Sequence, residues 1–149
     1  MNIRHILAPT DFSDYSKQAL SNAFELAQTF GATLALLHVV EPSPYLGEFT
    51  PPTMGEDLLD DLEQQARAKL ARILPEAQQA KIEMPRSVVM GSPSLKIVET
   101  AEAEHVDLIV MATHGPTGLS HLLIGSVTER VVHTAPCPVL TIRPATEKA

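Results

Sequence analysis

Ala112-Thr113-His114-Gly115 and, nine intervening residues beyond Gly115, Gly125-Ser126-Val127-Thr128 combine small residues with hydroxyls in a pattern suited to an anion. Ala112 and Gly115 leave backbone amides uncovered beside a strand end. Gly125-Ser126 stands where a helix opens, and the first amides of a helix have no intrahelical partner. Those N–H groups, with the positive end of the helix dipole, attract phosphate. The Ser126 hydroxyl adds one donor. A single contact of this kind contributes only about 0.3–2 kcal/mol, so useful affinity needs several amides converging. An isolated glycine is ordinarily a turn residue; the spacing of these glycines favours binding.

Pro9-Thr10-Asp11-Phe12-Ser13 follows the first apolar run. Asp11 or Ser13 is expected to cap the next helix. A carboxylate just past a strand end also accepts hydrogen bonds from a ribose hydroxyl or an amino group of a base. Other polar residues carry less. His114 and His121 flank the glycine segment, but no base, metal or nucleophile accompanies them. His38 is read as a hydrogen-bonded structural histidine. The six histidines show no metal-ligand spacing. Asp57, Asp60, Asp61 and Glu63 read as a solvated helix face rather than a cation site. The single cysteine, Cys137, lies between Pro136 and Pro138 and reads as a small buried hydrophobe; no internal disulfide is possible. There is no Gly-rich loop ending in Lys-Ser or Lys-Thr, no Gly-x-Gly-x-x-Gly after a strand and no nucleophile elbow.

The elements that must position these residues are visible as alternating patterns. Short apolar runs at Ile3–Ala8 (ended by Pro9), Leu34–Val40, Arg86–Met90, Leu108–Ala112 and Val139–Ile142 predict five strands. Between them, three- and four-residue spacings predict four helices. The first spans Asp14 to Phe30 with inner residues Ala19, Leu20, Ala23, Phe24, Ala27 and Phe30, stopped by Gly31. The second follows a loop over residues 41–55, is marked by Leu58, Leu59, Leu62, Ala66, Leu70 and Ile73, and closes near Pro75. The third has Ser92 as N-cap and Pro93 at its first position, with Ile97, Val98 and Ala101 inward. The fourth, Ser126 to Thr134, buries Val127, Val131 and Val132. The last few residues are expected to fray.

Five strands alternating with four helices predict an α/β fold with one parallel sheet covered on both faces. The chain of 149 residues is read as a single domain, residues 1–149. Its 11 basic and 18 acidic residues give a net charge of −7, which argues against broad binding to nucleic acid or an anionic membrane. An anionic ligand therefore requires a local site. No signal pattern and no apolar run near the ~20 residues of a membrane helix is present, so a cytoplasmic location is expected.

The Gly115-to-Gly125-Ser126 spacing resembles the phosphate-binding motif of the universal stress proteins: Gly, two residues, Gly, nine residues, Gly, then Ser or Thr. The Pro-Thr-Asp segment at residues 9–11, the Leu-His-Val end of the second strand and Ala135-Pro136-Cys137-Pro138-Val139-Leu140 extend the resemblance over nearly the whole chain. One departure is that the family's first glycine is Ala112 here. The resemblance implies a doubly wound, Rossmann-like sheet in the order 3-2-1-4-5, with ATP, accompanied by Mg, at the switch between strands one and four. It implies that Asp11 contacts adenosine, that Val39 meets adenine through its backbone, and that Pro9 and Thr10 shape the adenine pocket. Gly115, Gly125, Ser126 and Val127 would hold phosphates and ribose. It also implies a homodimer through the Val139–Ile142 edge strand, which a proline at Leu140 is expected to disrupt. The function expected is an ATP-dependent stress-response or regulatory module. A slow Mg-dependent ATPase and a nucleotide-free, chaperone-like dimer are the alternatives.

Overall fold

In the computed structural model, which describes residues 1–42, 52–114 and 124–143, strands and helices alternate along the chain. They run β1 (His5–Pro9), α1 (Asp14–Phe30), β2 (Thr33–Val40), α2 (Pro52–Ala71), a short 3-10 helix (Pro75–Ala77), β3 (Arg86–Met90), α3 (Pro93–Ala103), β4 (Leu108–Ala112), α4 (Ser126–Thr134) and β5 (Val139–Ile142). All five strands form one sheet in the order β3-β2-β1-β4-β5, with parallel pairs throughout. The expected order and connectivity are therefore observed.

Alternation along the strands divides the core into two layers. Ile6, Ala8, Leu34, Leu36, Val88, Leu108 and Val110 pack with Leu20, Ala23 and Ala27 of α1 and with Ala66 and Leu70 of α2. Leu7, Ala35, Leu37, Ile109 and Met111 face the other way, onto Ile97 and Ala101 of α3 and Val131 of α4. Because both faces are covered, the central strands are apolar at nearly every position.

Several boundaries depart from the sequence expectation. β1 begins at His5, not Ile3: the amides of Arg4 and His5 both donate to the Asp107 carboxylate, at 2.9 and 3.0 Å, while Arg4 O accepts from the Thr33 amide where the β2 pairing starts. The same strand takes in Pro9, whose nitrogen faces the β4 side beyond the point where β1–β4 pairing ends at Leu7, so that no ladder bond is lost. α2 starts at Pro52, inside the span expected to be loop, because proline suits the first turn of a helix. Residues 43–51 of that loop and the C-terminal residues 144–149 lie outside the described residues.

The buried side of α2 runs through Ala66 and Leu70 with Leu59 half-buried, whereas Leu58 and Leu62 are exposed. Phe30 and Val132, expected inside, are also exposed. Val132 lies roughly a quarter-turn round from buried Val131, whereas Phe30 is in line with the buried stripe of α1 but sits at its last residue. Asp57, Asp60 and Asp61 form the solvated face expected of them, and Glu63 pairs with Arg67 at 2.7 Å.

α1 is capped by Ser13, whose hydroxyl accepts from the Ser16 amide at 3.2 Å, and it ends at Gly31 in the left-handed region. Ser92 occupies the N-cap of α3 as expected, but its side chain makes no cap bond. At the β5 edge, the Ile109 amide donates to Pro138 O and the Thr113 amide to Ile142 O. The two-residue period turns the main-chain groups of Leu140 toward β4 as well, and leaves those of Val139 and Thr141 facing the open edge. A proline at Leu140 would therefore break the intramolecular ladder. The residue that tests the edge is Thr141.

Candidate nucleotide site

The carboxyl ends of β1, β2 and β4 converge with the N-terminus of α4 around a cavity of about 370 Å³. Such a crevice is where an open α/β sheet places its ligand, and its size lies in the range of small-molecule sites. Pro9, Thr10, Asp11, Val39, Ala112, Gly125, Ser126 and Val127 all line it. Eight of the nine residues singled out from the sequence thus share one cavity; Gly115, like His121, lies outside the described residues.

The two ends of the cavity differ in chemistry. On one side α4 begins: Gly125 is the N-cap, with φ −63° and ψ 155°, and as a glycine it has no side chain with which to cap the helix. The first intrahelical bond runs from the Glu129 amide to Gly125 O at 2.9 Å, so the Ser126, Val127 and Thr128 amides precede the helical ladder. The Gly125 amide donates to Thr113 O at 2.7 Å, and the Thr128 hydroxyl to Ala112 O at 2.8 Å. These two bonds fix the end of β4 against the opening of α4. The result is a helix N-terminus whose first amides have no intrahelical acceptor and whose dipole favours negative charge.

From the carboxyl ends of β1 and β2 come Asp11 and Glu41, the latter just past β2 and not flagged by any motif. Asp11 is exposed and accepts from the Ser13 amide at 2.9 Å, an Asx turn that orients its carboxylate. Ser13, rather than Asp11, caps α1. Thr10 is buried, and its hydroxyl shares a 2.9 Å bond with that of Ser16. The walls between the ends are apolar: Leu37, Val39, Ile97, Met111 and Val127. Ala112, in the place of the family's first glycine, brings one nearly buried methyl group to the wall. The lining thus combines main-chain amides at the opening of α4, apolar side chains, and two acidic residues able to accept hydrogen bonds.

His114 also lines the cavity, with Nδ1 at 2.8 Å from the Thr113 hydroxyl. His38 is hydrogen-bonded as expected, through Nδ1 to Thr10 O at 2.7 Å. Among the described residues no group of three or more His, Cys, Asp or Glu is placed to hold a metal ion, and no helix is long and apolar enough to cross a membrane. Cys137 is half-buried, packed against the α3 and α4 layer. Burial pushes its thiol pKa up and the nearby Asp107 charge adds to this, against a backbone hydrogen bond at Ile109. The thiol therefore stays protonated at neutral pH. Iodoacetamide is expected to modify the native protein many times more slowly than the guanidine-unfolded chain, as read by intact mass.

The universal stress protein family model matches residues 2–143, almost the full chain. The chain belongs to the universal stress protein family. Universal stress protein MJ0531 of Methanocaldococcus jannaschii is 36% identical over 141 residues, covering 94% of this chain and 82% of the relative. The solved structure of protein MJ0577, from the same organism, superposes with a TM-score of 0.85 at 30% identity, over 99% of this chain and 100% of that one. A universal stress protein from Archaeoglobus fulgidus, solved in complex with dAMP, has a TM-score of 0.65 at 23% identity, over 95% and 99% of the two chains. The resemblance read from the glycine spacing is thus established at the level of family and fold. Glu41, Ser16, Pro93, Ile97 and Met111 were missed because they enter the cavity through sheet topology rather than through a local motif.

Proposed function

We propose that this protein is a nucleotide-dependent regulatory module of the universal stress protein family that binds ATP, with Mg, in the cavity beyond β1, β2 and β4. The observation that carries this reading is the opening of α4, its first amides outside the helical ladder, lining one cavity together with apolar side chains and with Asp11 and Glu41 from the ends of β1 and β2. In this reading the Ser126 and Val127 amides and the Ser126 hydroxyl bind phosphate, with Gly125 and Gly115 allowing close approach. Pro9, Thr10 and the Val39 backbone frame adenine, and Asp11 accepts from adenosine. Ala112 borders the phosphates without closing the cavity. The dAMP complex of the Archaeoglobus relative is in keeping with a nucleotide ligand; its likeness to this chain speaks to the fold.

Backbone amides stabilise bound phosphate but do not activate water, so occupancy rather than rapid hydrolysis is the signal. Isothermal titration is expected to show one site per chain for Mg-ATP, with weaker heats for Mg-GTP. Absence of any saturable Mg-ATP heat would exclude the reading.

A cytoplasmic homodimer completes the proposal. β5 pairs only with β4 among the described strands, and Leu140 is exposed on it. A lone apolar edge is normally covered, and the same strand of a second copy is the cover proposed here. Thr141→Pro removes an N–H that faces the open edge and leaves the β4 ladder intact. Its mass by light scattering is expected to fall to that of a monomer with unchanged circular dichroism. A persistent dimer would place the interface elsewhere.

A further inference from the structure

Phe12 adopts φ +66°, a conformation that bulky L-residues avoid and that persists only where the surroundings enforce it. It stands immediately after Asp11, which lines the cavity. Three contacts enforce it. Its amide donates to the Thr10 hydroxyl at 3.0 Å. Its ring lies against the His38 ring, with centroids 4.3 Å apart and planes tilted by 33°. Lys69 of α2 places its ammonium 5.4 Å from the Phe12 ring centroid, within the range of a cation–π contact.

His38 meets this turn a second time. Its Nδ1 lies 2.7 Å from Thr10 O, and because a carbonyl only accepts, Nδ1 carries the hydrogen. One imidazole therefore fixes both the Thr10–Asp11 peptide, through its carbonyl, and the ring that holds the next residue in the left-handed region. The Thr10 amide is tied to Leu37 O at 2.8 Å and its hydroxyl to Ser16. With those groups committed, the carbonyl is the remaining handle on the peptide that leads into Asp11. His38 itself is absent from the cavity wall, while its strand neighbours Leu37 and Val39 form part of it.

We propose that His38 is a positioning residue for the nucleoside end of the cavity, setting Thr10 and Asp11 through the Thr10 carbonyl and the Phe12 ring. The assignment rests on the nucleotide reading above. It separates the two ends of the ligand, since the amides of Ser126 and Val127 belong to α4 and have no part in the His38 contacts. His38→Leu removes both the donor and the aromatic contact. His38→Asn keeps a donor near the Nδ1 position, and His38→Phe keeps a ring without a donor.

The test is titration of wild type and the three variants with Mg-ATP, adenosine and inorganic tripolyphosphate, beside thermal midpoints. His38→Leu is expected to weaken ATP and adenosine about tenfold while tripolyphosphate affinity is unchanged. His38→Asn is expected to recover ATP and adenosine affinity to within a few-fold of wild type, and His38→Phe to recover it poorly. Equal loss of adenosine and tripolyphosphate alongside a lowered midpoint would show a merely structural histidine and overturn the assignment. Rescue by Phe rather than Asn, or ATP and adenosine affinities unchanged in His38→Leu, would also overturn it. A wild type that binds neither ATP nor adenosine would instead refute the nucleotide reading, and this assignment with it.

Discussion

Gly125→Val is expected to fold normally and to bind Mg-ATP at least about 100-fold more weakly than wild type. The backbone at 125 has φ −63° and ψ 155°, an extended conformation open to any residue, so the substitution introduces no backbone strain. Valine is a poorer N-cap than glycine, at a cost of about 1 kcal/mol against a typical total of about 5–15 kcal/mol. The binding effect is larger for a geometric reason. Gly125 lines the cavity beside the Ser126 and Val127 amides, and a branched side chain there holds a phosphate away from them. Losing two charge-assisted hydrogen bonds at about 1.5 kcal/mol each corresponds to roughly a hundredfold in affinity. Titration beside a thermal melt separates this outcome from unfolding. Wild-type affinity in Gly125→Val would remove α4 from the site.

The second large effect is on stability and leaves the site alone. Leu36 is fully buried in β2, between β1 and β3, and packs toward α1 and α2. Truncation to alanine removes buried methyl groups and opens a cavity, at about 2–5 kcal/mol. For a chain of this length, that lowers the thermal midpoint by on the order of 10 °C. Leu37, one residue on, faces the opposite layer and forms part of the cavity wall. Leu36→Ala should therefore keep its ATP affinity at temperatures where it is folded. Chemical denaturation showing a loss below about 1 kcal/mol would mean that the α1 and α2 layer relaxes around the gap.

The contrast between Leu36 and Leu37 shows what the sequence could reveal. Apolar runs and helical spacing located all five strands and four helices, because burial on both faces writes itself into composition. The opening of α4 was legible too, since Gly125-Ser126 is a local signal. What escaped were features made by distant segments meeting. Asp107 takes the amides of Arg4 and His5 from more than a hundred positions away, at the start of β1. Leu58 and Leu62 fit an apolar period yet are exposed, because α2 presents Ala66 and Leu70 to the sheet instead. His38 was recognisable as a bonded histidine, but its partner, the Thr10 carbonyl, became apparent only once β1 and β2 were set side by side. Glu41, Ile97 and Met111 reach the cavity from three different elements and share no spacing that could have linked them.

The central claim, that the cavity at the start of α4 holds ATP, is tested most directly by denaturing freshly purified protein and identifying what it releases. Chromatography and mass spectrometry should find ATP, at up to one per chain, in the wild type and not in Gly125→Val prepared in parallel. A wild type that releases no nucleotide and also fails to take up added Mg-ATP would contradict the claim.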